Sequence, residues 1–301
     1  MNSSNSTENY LGRFAPSPSG DLHFGSLVAA LGSYLDARAH NGKWLIRIED
    51  IDPPREVVGA SQSILTTLES FGLHWDDEIV YQSQRHDFYQ HHLNELIKHG
   101  DCYACDCTRK MIMAGGGLYQ GTCHNKTIDN PNTPHSLRFK NSQGVNQFND
   151  RLLGVINVDD TFANEDFILK RKDGLYAYQL VVVLDDIDQQ INHVVRGSDL
   201  LEVTTRQITL LNHLSASSIS YLHLPLAITD SGLKLSKQNH AQALDLNQRK
   251  SLLIHALKFL GQTIFIEYQD LSIEQLLSKA TLHWNVASIP KQAQQYKDFK
   301  G

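Results

Sequence analysis

A Pro- and Gly-rich segment near the start of the chain has the composition of a phosphate-binding loop. It runs from Arg13 to Gly20 as RFAPSPSG and is followed by His23 and Gly25, where a helix is predicted to begin. The first N–H groups of a helix lack partners within the helix and lie at the positive end of its dipole, so they attract anions. We therefore predict that the segment binds nucleotide phosphates, with His23 as a donor and Gly25 leaving room. The alternative is an ordinary loop with a surface histidine.

Two lysines lie close together in a second segment, much later in the chain. Lys234 and Lys237 belong to the sequence SGLKLSK at residues 231–237, directly after a predicted strand. Two ammonium groups on one loop can neutralise the charge that develops on a pentavalent phosphorus and on a pyrophosphate leaving group. By itself such a sequence is commonly a solvated surface turn. Its occurrence together with the first segment favours the interpretation that both act on one triphosphate.

The cysteines form a third group. The chain has 4 of them, at positions 102, 105, 107 and 123, and this clustering indicates a metal site and not disulfides. The thiolates of Cys105, Cys107 and Cys123 suit one structural zinc ion with tetrahedral geometry. By chemistry alone, Cys102 and His124 are both open as the fourth ligand, because thiolate and imidazole are commoner zinc ligands than the phenolate of a tyrosine. Buried, reduced cysteines without metal are the alternative.

Strands that alternate with helices must position these groups. The predicted strands are 11–15, 43–48, 178–184, 193–196 and 221–228. The first predicted helix is lined by Leu27, Leu31 and Leu35 and ends at Asn41-Gly42. Another starts at Ser83 and has an inward face made of Phe88, His92, Leu93, Leu96 and Ile97. Further helices are predicted over 60–71, after a cap near Ser198, and over 252–260 and 273–277. This alternation predicts an α/β fold with a parallel sheet. From Leu244 onward we expect helices only.

A change of composition divides the chain. Between residues 101 and 166 it becomes rich in Cys, Gly, Asn and Pro, with short strands at 136–139 and 155–158, which predicts a zinc-containing insertion. The remaining parts are a disordered tail at 1–10, the two halves of a catalytic domain at 11–100 and 167–243, and a short helical C-terminal region at 244–301.

Composition excludes several classes of protein. Hydrophobic residues at 41% and charged residues at 20% are typical of a globular protein. The net charge of -6 argues against a sequence-independent nucleic-acid binder. Apolar runs such as Leu180–Leu184 are too short to cross a bilayer, which takes ~20 residues. The polar N-terminus lacks the features of a signal peptide, so we expect a cytoplasmic protein without a membrane or protein partner.

Together, the first two segments resemble the HIGH-type and KMSKS-type signatures of the class I aminoacyl-tRNA synthetases. More narrowly, four stretches resemble the catalytic domain of glutamyl-tRNA synthetase: 13–27, 46–50, Tyr178 with Asp185-Asp186, and 193–199. The resemblance covers roughly residues 10 to 245. It departs from the signatures at Ser26, where the second histidine would stand, and at Leu235 and Gln238 in the lysine segment.

The resemblance implies a Rossmann-like nucleotide-binding domain that activates L-glutamate with ATP and Mg²⁺. Arginine suits the carboxylates of glutamate and a glutamate side chain suits its ammonium group. The expected catalytic residues are His23, Lys234 and Lys237; the expected ATP-binding residues are Ser17, His23, Gly25 and Lys237; and the expected glutamate-binding residues are Arg13, Phe14, Ala15, Pro16, Ser17, Glu49, Tyr178 and Arg196. Which arginine takes the side-chain carboxylate stays open.

A shortened paralogue within this family carries the same Cys-x-Cys, Tyr, Cys pattern, which implies that Tyr119 is the fourth zinc ligand. The resemblance also implies that the acceptor is queuosine in the anticodon of tRNA(Asp). Residues 238–301 are too few for the helical anticodon-reading domain of a full glutamyl-tRNA synthetase, so we expect none. Two alternatives remain: a glutamyl-tRNA synthetase that charges a tRNA 3′ end, and a catalytically silent tRNA-binding paralogue.

Overall fold

Helices and strands alternate through most of the computed structural model, which describes residues 9–125, 134–229, 234–235, 242–292 and 294–295. Numbered along the chain, the strands are β1 Leu11–Phe14, β2 Lys43–Ile48, β3 Val80–Tyr81, β4 Cys102–Cys105, β5 Ser136–Phe139, β6 Gln147–Asp150, β7 Gly154–Asn157, β8 Ile168–Lys170, β9 His193–Gly197, β10 Ser220–Leu224, β11 Ala227–Ile228 and β12 Gln294–Gln295. The α-helices are α1 Phe24–Ala39, α2 Ala60–Ser70, α3 His86–His99, α4 Arg109–Ala114, α5 Asp160–Ala163, α6 Tyr178–Asp188, α7 Val203–His213, α8 Arg249–Phe259 and α9 Ile273–Leu282.

The main sheet confirms the predicted α/β fold. Within the described residues it has 7 strands in the order β3-β2-β1-β9-β10-β6-β7, and its neighbours are parallel except for β6 and β7. The strand order reverses at β1, because β2 follows it on one side and the much later β9 lies on the other. Open α/β sheets bind ligands outside the carboxyl ends of the strands at such a point. The ends of β1, β2 and β9 therefore mark the expected site.

Helix α1 covers one face of this sheet. Leu27, Leu31 and Leu35 are buried in the largest apolar cluster, because residues four apart share one side of a helix. Helices α8 and α9 contact α1. The helix ends as predicted, where Asn41 adopts a positive φ of 54° before β2.

The run 178–184 was predicted to be a strand, and this prediction is wrong: it begins helix α6. All residues from Leu180 to Asp186 are buried, in a cluster shared with α3 and α7. An apolar run that is covered on every side lacks the periodicity that separates a strand from a helix. Among the described residues, no helix combines the length and the apolar character needed to span a membrane.

The region predicted as an insertion is divided between two sheets. Strands β4 and β5 join β8 in a separate antiparallel sheet, whereas β6 and β7 extend the main sheet. The C-terminal region is not purely helical as expected, because β12 pairs with β11. Tyr10, placed in the predicted tail, is buried and its hydroxyl donates to Asp36 at 2.6 Å. Residues 1–8 lie outside the described part of the chain.

Helix α3 ends at Gly100 as predicted but differs from its prediction at its start and in the direction of one side chain. Its N-cap is Arg85 and not Ser83, whose N–H and hydroxyl bind the Asp50 carboxylate at 2.8 and 2.7 Å. A carboxylate from a distant part of the chain thus takes up the groups of a potential cap. Ile97, predicted to face inward, is exposed.

Candidate active site

The loop after β1 forms one wall of a cavity of about 430 Å³. Residues that line it include Phe14, Pro16, Ser17, His23, Gly25 and Lys234. His23 is the N-cap of α1, and its side chain accepts a hydrogen bond from the N–H of Ser26 at 3.4 Å. A β-carbon at Gly25 would lie 3.1 Å from Cε1 of His23, so a side chain there would press on the imidazole. The cavity opens at the positive end of α1, where an anion is favoured.

The lysine segment lies against the same cavity. Lys234 forms an ion pair with Asp199, and the N–H of Leu235 donates to the carbonyl of Ala227 at 2.8 Å. His23 forms an isolated antiparallel bridge with Ala243, beyond the segment. The expected convergence therefore holds for Lys234. Lys237 lies outside the described residues, with 231–233, Ser236 and Gln238.

A second cavity of about 630 Å³ adjoins the first and shares Ser17 and Ser19 with it. Glu49, directly after β2, and Tyr178, the first residue of α6, line this second cavity. Two cavities with a common wall can hold two substrates side by side, which reduces the entropic cost of a reaction between them.

The Glu49 carboxylate is an unsatisfied acceptor. Its Oε1 is buried and has no hydrogen-bond partner among the described residues. Burial raises the pKa of Glu49 to about 7, against the opposing effect of Arg47 and Arg13. A buried acceptor without a donor is rare in folded proteins, and a ligand donor is one explanation. Glu49 is therefore suited to an ammonium group.

The two predicted arginines have different surroundings. Arg13 is neutralised by Asp186, with N–O distances of 3.2 and 3.3 Å. The pKa of Asp186 is lowered, because the attraction of Arg13 and Arg47 for the ionised carboxylate exceeds the opposing effect of burial. Arg196 is equally buried yet forms no ion pair with a described carboxylate; its Nη1 lies 3.5 Å from the Tyr178 hydroxyl. Of these two arginines, Arg196 is the one without a carboxylate in ion-pair contact among the described residues.

Some predicted residues do not line the second cavity. Phe14 and Pro16 border the first cavity, Ala15 borders neither, and Arg13 and Arg196 lie behind the walls. Their contacts with an amino acid stay predictions.

Gln82 is a cavity residue that the sequence-based prediction missed. It is fully buried, it borders the second cavity, and its Nε2 donates to Asp185 at 2.7 Å. This bond leaves its Oε1 buried without a partner. The available signal was Asp185 itself, since an acid within an apolar run needs a buried donor.

The cysteine cluster has the geometry of a metal site. The sulfurs of Cys105, Cys107 and Cys123 all lie within 4.8 Å of one another, and Cys107 and Cys123 are 3.5 Å apart. Zn–S bonds of ~2.3 Å in a tetrahedron place two sulfurs about 3.8 Å apart, so the three thiols fit zinc. The Tyr119 hydroxyl accepts a hydrogen bond from the N–H of Cys123 at 2.7 Å, and Tyr119 packs with Cys105 and Cys123. Tyr119 as the fourth ligand stays a prediction.

The two competing ligands lie elsewhere. Cys102 packs in the apolar cluster beneath α3 and α6. The His124 ring stacks on Tyr103 with ring centroids 5.0 Å apart, and its Nδ1 lies 3.7 Å from Asp166. Neither residue belongs to the cluster of three thiols found among the described residues.

Proteins named glutamyl-Q tRNA(Asp) synthetase are similar along nearly the whole chain. The one from Photorhabdus laumondii is 54% identical over 289 residues, 96% of this chain and 91% of its own length. The one from Escherichia coli K12 is 51% identical over 284 residues, 94% of this chain and 92% of its own length.

A solved structure shares the fold. The glutamate-tRNA synthetase from Elizabethkingia anophelis superposes with a TM-score of 0.79 at 24% identity, over 97% of this chain and 68% of that one. A family model described as "tRNA synthetases class I (E and Q), catalytic domain" matches residues 11–294. The chain therefore belongs to the family of class I tRNA synthetases (E and Q).

Proposed function

We propose that this chain activates L-glutamate with ATP and transfers the glutamyl group to queuosine in the anticodon of tRNA(Asp). The activation half rests on one observation: two adjoining cavities share Ser17 and Ser19, with phosphate-binding groups in one and an unsatisfied acceptor in the other. The acceptor half is supported by the names of the similar proteins.

Activation joins the two cavities. The α-carboxylate of glutamate attacks the α-phosphorus of ATP, which gives glutamyl-adenylate and releases pyrophosphate. His23 and Lys234 border the cavity proposed for the phosphates, and Lys237 supplies a second ammonium group. Mg²⁺ held by the nucleotide neutralises part of the phosphate charge. The contribution of the protein is positioning and charge stabilisation.

The selectivity for an acidic amino acid follows from Arg196. Its guanidinium is buried without a carboxylate in ion-pair contact among the described residues. A buried charge that lacks a partner carries a large desolvation cost. The γ-carboxylate of glutamate would offset that cost, and the neutral amide of glutamine would not.

Transfer requires the acceptor to enter the second cavity. A ring hydroxyl of queuosine then attacks the adenylate carbonyl, its proton leaves, and AMP is released. Arg55 and Arg171 stand beside this cavity and share the Asp52 carboxylate, at 2.6 and 3.4 Å. Two cations beside the opening favour the approach of a phosphate backbone.

The proposed zinc ion is structural. Cys105, Cys107, Cys123 and Tyr119 would hold it between β4 and the segment after α4. When bound, it cross-links parts of the chain that have little apolar core of their own.

Two assays test the proposal in sequence. The first measures glutamate-dependent ATP–pyrophosphate exchange without tRNA; its absence would refute activation. The second supplies radiolabelled glutamate with tRNA(Asp) containing queuosine, tRNA(Asp) lacking it, and tRNA(Glu). We expect label on the first tRNA only. Label on the 3′ end of tRNA(Glu) would favour a discriminating glutamyl-tRNA synthetase, and exchange without any transfer would refute the acceptor.

A further inference from the structure

Arg196 is held by a chain of buried polar groups that reaches across the sheet. We propose that Asp150 and His223 are positioning residues, which fix the guanidinium of Arg196 so that its Nη1 faces the carboxylate of the amino-acid substrate. The inference rests on the proposed activation of glutamate and assigns a role to two residues that the sequence did not single out.

The first link is Asp150, the last residue of β6. Its Oδ1 accepts hydrogen bonds from the N–H groups of Leu152 and Leu153 at 3.0 and 2.9 Å. Its Oδ2 accepts from the N–H of His223 at 3.0 Å and lies 2.8 Å from Nδ1 of the same ring. Both oxygens of this carboxylate therefore act as hydrogen-bond acceptors. Nδ1 of His223 must therefore carry a proton.

The second link follows from the tautomer of His223. Burial lowers the pKa of His223, so the ring is neutral and its other nitrogen, Nε2, carries a lone pair. Nε of Arg196 lies 3.2 Å from this Nε2 and donates to it. The Thr204 hydroxyl is also near, at 3.1 Å, but it donates to the carbonyl of Leu200 at 2.8 Å. The imidazole thus links Asp150 to Arg196 by one hydrogen bond at each ring nitrogen.

The third link fixes the opposite side of the guanidinium. Nη2 of Arg196 donates to Thr204 Oγ1 and to Gln207 Oε1, both at 2.7 Å. With Nε and Nη2 occupied, Nη1 is the group that faces Tyr178, which lines the second cavity. Nη1 is thereby the nitrogen left to donate to a carboxylate.

The arrangement also explains why Arg196 is stable without a carboxylate in contact. The His223 ring separates the Asp150 carboxylate from the Arg196 guanidinium, and both groups polarise this ring. The register of the sheet sets the distances, since His223 stands opposite Arg196 and Tyr221 stands opposite Asp150. The neutral bridge leaves the guanidinium more attractive to a substrate anion than a direct ion pair would, as in the Arg13–Asp186 pair.

Three variants test this assignment through the KM values of the exchange reaction. Asp150→Asn places an amide next to His223 and favours the other tautomer of its ring. Nε2 of His223 would then carry a hydrogen and would face the Nε–H donor of Arg196. His223→Leu removes the bridge. His223→Gln keeps it, because a carboxamide donates to Asp150 with its nitrogen and accepts from Arg196 with its oxygen. We expect the first two to raise KM for glutamate ~10–100-fold with KM for ATP unchanged, and His223→Gln to stay within about threefold of wild type.

Two results would overturn the assignment: an unchanged KM for glutamate in Asp150→Asn, or equal losses in His223→Gln and His223→Leu. Because a buried variant can fail to fold, the wild-type protein supplies a second measurement. Selective ¹⁵N labelling of histidine should show His223 protonated at Nδ1 and bare at Nε2 by NMR, and the reverse tautomer would refute the proposal. The NMR result does not depend on catalysis, so it separates failure of this inference from a protein that activates no glutamate.

Discussion

Glu49 and Gln82 directly follow the neighbouring strands β2 and β3, and each has a buried side-chain oxygen with no partner among the described residues. Strands β2 and β3 are parallel with Ile48 opposite Tyr81, so Glu49 and Gln82 are the next pair along. Since both border the second cavity, we propose that they form a joint acceptor for the ammonium group of the substrate.

Replacing Gln82 tests this joint acceptor. Gln82→Met keeps the volume but removes both the oxygen and the Nε2 donor to Asp185. We therefore expect a lower melting temperature, and a KM for glutamate that rises on the order of tenfold, the cost of a hydrogen bond to a charged group. KM for ATP should not change. Gln84→Met, at an exposed position of the same turn, is the matched control and should match wild type. Equal effects of the two substitutions would mean that the turn, and not the oxygen, matters.

Glu49 should make glutamate binding depend on pH. Burial raises its pKa from an ordinary 4.5 to about 7, and only the ionised carboxylate attracts an ammonium group. Protonation therefore competes with the substrate, and KM for glutamate should rise by up to about tenfold for each pH unit below 7. In Glu49→Gln this slope should disappear while KM at pH 8 rises. A wild-type KM that is flat between pH 8 and 6 would contradict the assignment.

The effect of Glu49 on folding has the opposite sign. Because its pKa is raised in the folded state, the fold favours the protonated carboxyl. The stability contributed by this group is present below about pH 4.5 and is lost as pH rises through about 7. Comparing the free energy of unfolding of wild type and Glu49→Gln across this range, without substrate, should show wild type losing stability relative to the variant as pH rises.

The sequence predicted the local elements well where periodicity and turn residues agreed. Strand 43–48 and the helix lined by Leu27, Leu31 and Leu35 occur as expected, because each has one clear pattern and a turn at its end. The run 178–184 failed because burial on all sides removes the pattern. Local sequence cannot separate those two cases.

The candidate site shows the same limit at longer range. Residues in a signature, such as His23 and Glu49, were identified from the sequence, and the structure places both on the adjoining cavities. Asp150, His223 and Gln82 were missed because their roles depend on strand order and on single hydrogen bonds. Strand β6 joins the main sheet across a long connection, and the local sequence carries no mark of that pairing.

The lysine segment should act on the chemical step. Lys237→Ala should abolish measurable exchange, and Lys234→Ala should lower kcat ~10²–10³-fold. Each substitution removes an ammonium group that neutralises the negative charge developing on the pyrophosphate. Circular dichroism should show that both variants keep the wild-type fold. Lys291→Ala, which changes an exposed lysine near the C-terminus, is the control for loss of one charge. Near-normal exchange in Lys237→Ala would rule out its catalytic role.

The cysteines allow a test of the zinc site that does not depend on activity. Protein purified without chelators should contain about one zinc per chain by elemental analysis, because three thiols lie within 4.8 Å of one another and the Tyr119 hydroxyl lies next to Cys123. Cys123→Ser should lose most of the metal and melt at a lower temperature, since a structural zinc contributes its binding free energy to folding. Cys102→Ser is the matched control, because Cys102 is buried in a different cluster and should leave zinc content unchanged. Well under one zinc in wild type, or loss of zinc in both variants, would contradict the assigned ligand set.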